Sequence, residues 1–200
     1  VSMADLGAPK RASGFIVNPN GTFEYVPSRD FNGEDSFQFR AVDSEGLYSE
    51  FITVVVNVVA QNDAPVTTDD GYTMNEDDVL TVGADEGLLS NDSDVDLDAL
   101  SVVSSSDPVV VAGTSDAPGL LSVNADGSFD YPPDPDFNGT VSFTYSIEDT
   151  SAAAGGPATV TLTIVAQNDA PVATPDGAYA GQEDNVLAVT AEDGLLANDT

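Results

Sequence analysis

Apolar and polar positions alternate along most of this chain. In Val141-Ser142-Phe143-Thr144-Tyr145-Ser146-Ile147 the apolar residues take the odd places and the polar residues the even ones. Val160, Leu162, Ile164 and Ala166 alternate in the same way, as do Ile52, Val54, Val56 and Val58 earlier. A period of two puts one set of side chains on one face of an extended strand, so each run predicts a strand with one buried face. Phe129 and Tyr131 flank an outward Asp130 just after Asp126-Gly127, and Asn20-Gly21 stands at the matching place upstream. Such pairs favour the positive φ of a tight hairpin turn. Asn32-Gly33 and Asn138-Gly139 mark a second turn, and no stretch has a convincing helical period. The pattern predicts an all-β chain of antiparallel, immunoglobulin-like β-sandwiches with six to eight short strands in about 106 residues. A small barrel is the alternative.

The pattern also repeats. QNDAPV at 61–66 returns at 167–172, and residues 18–43 align with 124–149 at the same spacing of 106. Beyond that point NEDDVLTVGADEGLLSNDS (75–93) aligns with QEDNVLAVTAEDGLLANDT (182–200), with one residue inserted near Ala178. Tandem repeats are therefore expected: the back part of one repeat in residues 1–62, a complete repeat in 63–168, and the opening of a third in 169–200. Both partial units are expected to be less ordered than the middle. Residues 169–200 and 1–62 are the front and back of one repeat and could meet head to tail between molecules. A counterpart of residues 94–106 would then be missing.

Charge narrows the function. Thirty-five Asp and Glu face four Lys and Arg, with no His and no Cys, for a net charge of −31. Phosphate binding needs Lys/Arg patches, so nucleic acid and anionic membranes are excluded as partners. No apolar run approaches the ~20 residues of a membrane span, so direct membrane insertion is not expected. Without Cys there are no disulfides, thiolate sites or Cys nucleophiles. Val1 is not a natural start, so the lack of a leader says nothing about export.

The acids are not scattered. Asp92, Asp94, Asp96 and Asp98 fall at every second position. In an extended segment such neighbours lie roughly 7 Å apart and repel by about 0.6 kcal/mol in water, or about 2 kcal/mol at an effective dielectric near 20. Asp43 and Asp149 hold the inward parity of their strands where those strands end. Asp63 and Asp169 lie in Asn-Asp-Ala-Pro linkers, stiffened by Pro65 and Pro171. Glu76-Asp77 and Glu183-Asp184 follow a few residues on. Hard oxygen ligands without His or Cys suit Ca²⁺ better than Zn²⁺ or copper. The loop is not an EF-hand, since counting from Asp92 puts Leu97 where Gly is needed and Val103 where Glu is needed.

The ordered set NDAPV, YTMNEDDVL, GLLSNDSDVD, NADGSFDYPPDPDFNGTVSFTYSIED and ATVTLTIVAQNDAP resembles the bacterial cadherin-like tandem repeats of large surface and secreted proteins, including RTX-type adhesins. The resemblance spans nearly the whole chain. It implies Greek-key sandwiches, calcium at the junctions between neighbouring repeats of the chain, and an extracellular adhesion or stalk role. By the same resemblance Asn62 and Asp63, with their counterparts Asn168 and Asp169, are linker ligands. Asp43 would reach the 62–63 junction from the repeat before, and Glu76, Asp77, Asp92, Asp94 and Asp96 from the repeat after. The family's usual Gly in the aspartate loop is Leu97 here, which leaves the tight turn open. Any cell-surface or polysaccharide ligand would be bound through other domains.

Two other classes fit the residues less well. Glu148-Asp149 offers paired carboxylates, but strand neighbours point to opposite faces and cannot flank one glycosidic bond. Without His or Cys the common acid–base and nucleophilic arrangements are missing, and no enzyme is expected. A carbohydrate-binding accessory module would want a row of exposed aromatics. Trp is absent, and most Phe and Tyr fall on the inward parity.

Overall fold

The computed structural model describes residues 1–114 and 118–199, the side chains of Met3 and Asp5 excepted. The period-two runs form strands. A first unit holds β1 (Ser2–Gly7), β2 (Ala12–Val17), β3 (Phe23–Pro27), β4 (Gly33–Val42) and β5 (Ile52–Val58). A second holds β6 (Asp70–Asn75), β7 (Leu80–Val82), β8 (Ser101–Ser105), β9 (Val109–Gly113), β10 (Ser122–Val123), β11 (Phe129–Tyr131), β12 (Gly139–Glu148) and β13 (Ala154–Val165). A single 3-10 turn, Ala84–Glu86, is the helical content among the described residues. None of these residues forms a helix long and apolar enough to cross a membrane.

In the second unit β6, β13, β12 and β8 lie side by side, with β9 also on β12, while β10, β11 and β7 form the facing sheet. β6 runs parallel to β13, from Asp70 beside Val160 to Asn75 beside Val165, and the other pairs are antiparallel. The inward parity of β12 (Val141, Phe143, Tyr145, Ile147) meets that of β13 (Val160, Leu162, Ile164), all buried. Phe129 closes the core from the facing sheet, edge-on to Tyr72 at 5.0 Å and to Phe143 at 5.9 Å. Each such side chain contributes roughly 1.5–3 kcal/mol by leaving water. Gly127, at φ +83, makes the hairpin turn between β10 and β11, and Leu88 donates its N–H to the Gly127 carbonyl at 2.9 Å.

The first unit folds further than expected for a partial repeat. β1, β4 and β5 form one sheet and β2–β3 a second, with Phe15 and Phe23 against Phe37 at 4.7 and 5.2 Å. Phe37 is buried, but Phe23 is 45% exposed, whereas its counterpart Phe129 is 1% exposed. Asp35 occupies the place of Val141. Its carboxylate accepts the amides of Lys10 and Arg11 and the Tyr25 hydroxyl, which pins the short β1–β2 connection. Residues 169–199 carry no strand.

The aspartate loop does turn without glycine. Leu97 sits at φ +63, its amide bonded to the Asp94 carbonyl at 3.2 Å, with its side chain in solvent. A left-handed leucine costs roughly 1–2 kcal/mol, which the loop's other bonds offset.

Candidate metal centre

Two acidic clusters lie at opposite ends of the complete repeat. At the downstream end β6 delivers Glu76 and Asp77 directly after its last pair. The Glu76 amide bonds to the Val165 carbonyl, and the buried Glu76 carboxylate accepts the Gln167 amide at 2.6 Å and the Asn138 side-chain amide at 3.0 Å. Asp77 (φ +65) and Asp136 (φ +57) both take the left-handed turn conformation, and the Asp136 amide donates to Asp77 at 3.2 Å. One carboxylate oxygen each from Asp77, Asp136 and the linker's Asp169 lie within 4.8 Å of one another. Loss of solvent, then the charges of Asp77, Asp136 and Glu76, push the Asp169 carboxyl up from its usual range.

At the upstream end the linker meets the aspartate loop. Asn62 donates its side-chain amide to Asp149 at 2.7 Å, and the Asp63 amide donates to Asp96 at 2.8 Å. The Asp96 amide bonds to Asp94 Oδ1 at 2.7 Å, while Asp94 Oδ2 is buried with no hydrogen-bond partner. Asp149 also accepts the amides of Ser151 and Ala153, and the Asn62 amide leads the bonds that hold its carboxyl below the usual range. Asp30, the first unit's counterpart of Asp136, lines one cleft with Asp63 and Asp94. An orphaned carboxylate oxygen beside further carboxylates, with oxygen donors throughout, fits a hard cation such as Ca²⁺.

Asp92 points elsewhere. Its carboxylate accepts the Thr68 amide at 2.8 Å and the Tyr145 hydroxyl at 3.1 Å. Nearby, Asp70 accepts the Asn91 side-chain amide on one oxygen, and its other oxygen is buried without a partner. Burial first, with Asp92 and Asp69 nearby, pushes Asp70 up to about 6, and burial pushes Asp92 up as well. A carboxyl whose folded value is raised adds stability while protonated and loses it as pH climbs through that value. In chelator, the melting temperature of the complete repeat is expected to fall between about pH 4 and pH 7. Asp70→Asn is expected to flatten that slope and raise the melting temperature at pH 7. An unchanged slope in thermal melts across this range would remove Asp70 as its source.

The geometry regroups the residues expected to share a junction. Glu76 and Asp77 do not join Asn62 and Asp63, because β6 carries them along β13 to the other end of the repeat. Asp43 does not reach that junction either. It caps its own turn, accepting the amides of Glu45 and Leu47, and its counterpart Asp149 is the residue that meets Asn62. Asp94 and Asp96 do lie with Asn62 and Asp63, whereas Asp98 lies partly exposed before β8. Asn168 bonds to the Asp169 carbonyl as Asn62 does to Asp63, and Glu183 and Asp184 sit on an exposed turn. Asp30, Asp136 and Asn138 were missed. Their recurrence around Phe-Asn-Gly in both repeats was the available signal.

Comparison with known proteins sets this geometry among relatives. The family profile for the bacterial cadherin-like domain matches residues 62–166, and that for the bacterial Ig domain matches residues 2–58. Integrin beta-like protein E of Dictyostelium discoideum is 29% identical over 150 residues, 68% of this chain. Integrin beta-like protein C of the same organism is 28% identical over 153 residues, 70% of this chain. The chain spans 8% of the length of each of these relatives. Among solved structures, the human desmocollin-1 ectodomain aligns over 85% of this chain and 36% of its own, at 12% identity and a TM-score of 0.37. An endo-fucoidan hydrolase of glycoside hydrolase family 107 aligns over 86% and 26%, at 18% identity and a TM-score of 0.32.

Proposed function

The chain belongs to the bacterial cadherin-like domain family, and on that premise we propose that it is a calcium-stiffened, extracellular spacer of an adhesion-type surface or secreted protein. The observation that carries the reading is the meeting of Asp77, Asp136 and Asp169 within 4.8 Å. Two of these come from the body of the repeat and one from the linker that leaves it. The orphaned Asp94 oxygen at the other end supports the same chemistry. At the 168–169 junction Asp77 and Asp136 of the repeat before meet Asp169 of the linker. At the 62–63 junction Asn62 and Asp63 of the linker meet Asp149 and Asp96 of the repeat after, with Asp94 bonded to Asp96 and Asp30 of the unit before lining the same cleft.

Bound there, Ca²⁺ supplies the positive charge that offsets this crowding. The carboxylates tie linker and repeat together, so adjacent sandwiches hold one orientation. With the ion removed, the same carboxylates repel and the joint bends. Calcium is scarce inside cells and plentiful outside, so stiffening follows export.

Small-angle scattering of the full chain in chelator and in calcium tests the reading. Calcium is expected to narrow the distribution of interunit distances and to lengthen the maximum dimension. Identical profiles in the two buffers would remove the mechanism.

A further inference from the structure

We propose, on the calcium reading above, that Arg29 is a built-in rival of calcium at the 62–63 junction. Its fixed charge makes this joint bind the ion more weakly than its carboxylates alone would. A chain of net charge −31 has only four basic residues to place. Arg11 lies over the Phe31 ring and Arg40 over that of Tyr48, at 5.7 and 4.0 Å. Arg29 stands where the first unit meets the linker. It lines one cleft with Asp30, Asp63 and Asp94, and a second with Asp63 and Asp96. Asp94, 9% exposed, brings to this place a carboxylate oxygen with no hydrogen-bond partner.

The equivalent loop of the complete repeat has the same backbone and a different charge. Asp30 and Asp136 both sit at φ +57. The Phe31 and Phe137 amides close the same turn onto the Ser28 and Asp134 carbonyls, at 3.2 and 3.1 Å. Ser28-Arg29-Asp30 carries no net charge, whereas Asp134-Pro135-Asp136 carries two negative charges. The turn does not require arginine, since proline serves at the same place. Nor is Arg29 held by packing: its side chain is 94% exposed, with Nε 3.4 Å from Asp30 Oδ2. An exposed pair of this kind adds little to stability. What the guanidinium supplies is a permanent positive charge on a flexible arm, at the mouth of a site that has to attract a cation.

A unit charge roughly 6 Å from a divalent ion in water changes its affinity about tenfold. Arg29 also pairs with Asp30, so that carboxylate must release the guanidinium before it can turn to an ion. Joints that differ at this one position set at different calcium levels. Part of an array then stiffens while the rest still bends.

Calcium titrated calorimetrically into chelator-stripped chains at low salt tests the assignment, with Asp77→Asn present throughout to silence the downstream triad. Arg29→Gln, a change at an exposed position, is expected to take up calcium about tenfold more tightly than that background. Arg29→Lys keeps the charge and is expected to match the background. The gain is expected to fade at about 1 M sodium chloride, where charges are screened beyond about 3 Å. A change of loop shape would survive salt. Pro135→Arg, on a chain with Asp94→Asn and an intact triad, is expected to weaken uptake at the downstream end by a similar factor. Unchanged affinity in Arg29→Gln, an equal gain in Arg29→Lys, a gain that survives salt, or a Pro135→Arg chain that binds as before overturns the proposal and leaves the calcium reading in place. No uptake by any chain removes that reading, and the role of Arg29 with it.

Discussion

Calcium at a hundredfold excess over its dissociation constant is expected to raise the melting temperature of the chelator-stripped protein by roughly 10 °C or more. Binding to the folded state alone adds about 2.7 kcal/mol at that excess, and each kcal/mol moves a domain of this size by about 4 °C or more. Asp94→Asn removes a buried anion whose Oδ2 has no partner. In chelator that variant is expected to melt at or above the parent, and in calcium to lose much of the shift. Asp77→Asn is expected to do the same at the downstream end, since Asn tolerates the left-handed conformation at φ +65. Magnesium, which demands a tighter octahedral shell, is expected to do less at equal concentration. Scanning calorimetry of the three proteins in chelator, calcium and magnesium reads all of this. A parent whose melt ignores calcium would refute the site.

Phe129→Ala is expected to destabilise the complete repeat by about 3–5 kcal/mol, a large part of what holds an average domain together. The ring is 1% exposed and touches Tyr72 and Phe143 edge-on. Phe23→Ala removes the same ring from the same strand position of the first unit, where it is 45% exposed. About 1 kcal/mol is expected there, because less apolar surface is lost from the core. Hydrogen exchange resolved by unit separates the two effects within one chain. Equal losses would mean that Phe23 is as well covered in solution as Phe129.

The strands were legible because period-two alternation needs only local sequence. Val141 to Ile147 and Val160 to Ile164 face inward as their parity requires. Tandem matching placed the turns too, since Gly21 and Gly127 take positive φ at equivalent points. What alternation cannot supply is which end of a sandwich a residue reaches. Glu76 stands close to Asp63 in sequence, yet the six residues of β6 carry it roughly 20 Å along β13. Asp43 was misplaced for the complementary reason: its strand is antiparallel to the one that leads into the linker, so it ends at the opposite pole. Asp70 was overlooked because its significance comes from burial beside Asp92 and Tyr145, which no spacing rule announces.

The parallel pairing of β6 with β13 has a mechanical consequence. The chain enters the repeat at the start of β6 and leaves it at the end of β13, with six residue pairs in register between them. Tension applied through the two linkers therefore slides one strand along the other and loads the slanted hydrogen bonds of this ladder together. An antiparallel edge pair pulled from adjacent ends would instead peel open one bond at a time. Strand order alone thus equips the repeat to withstand shear along its length.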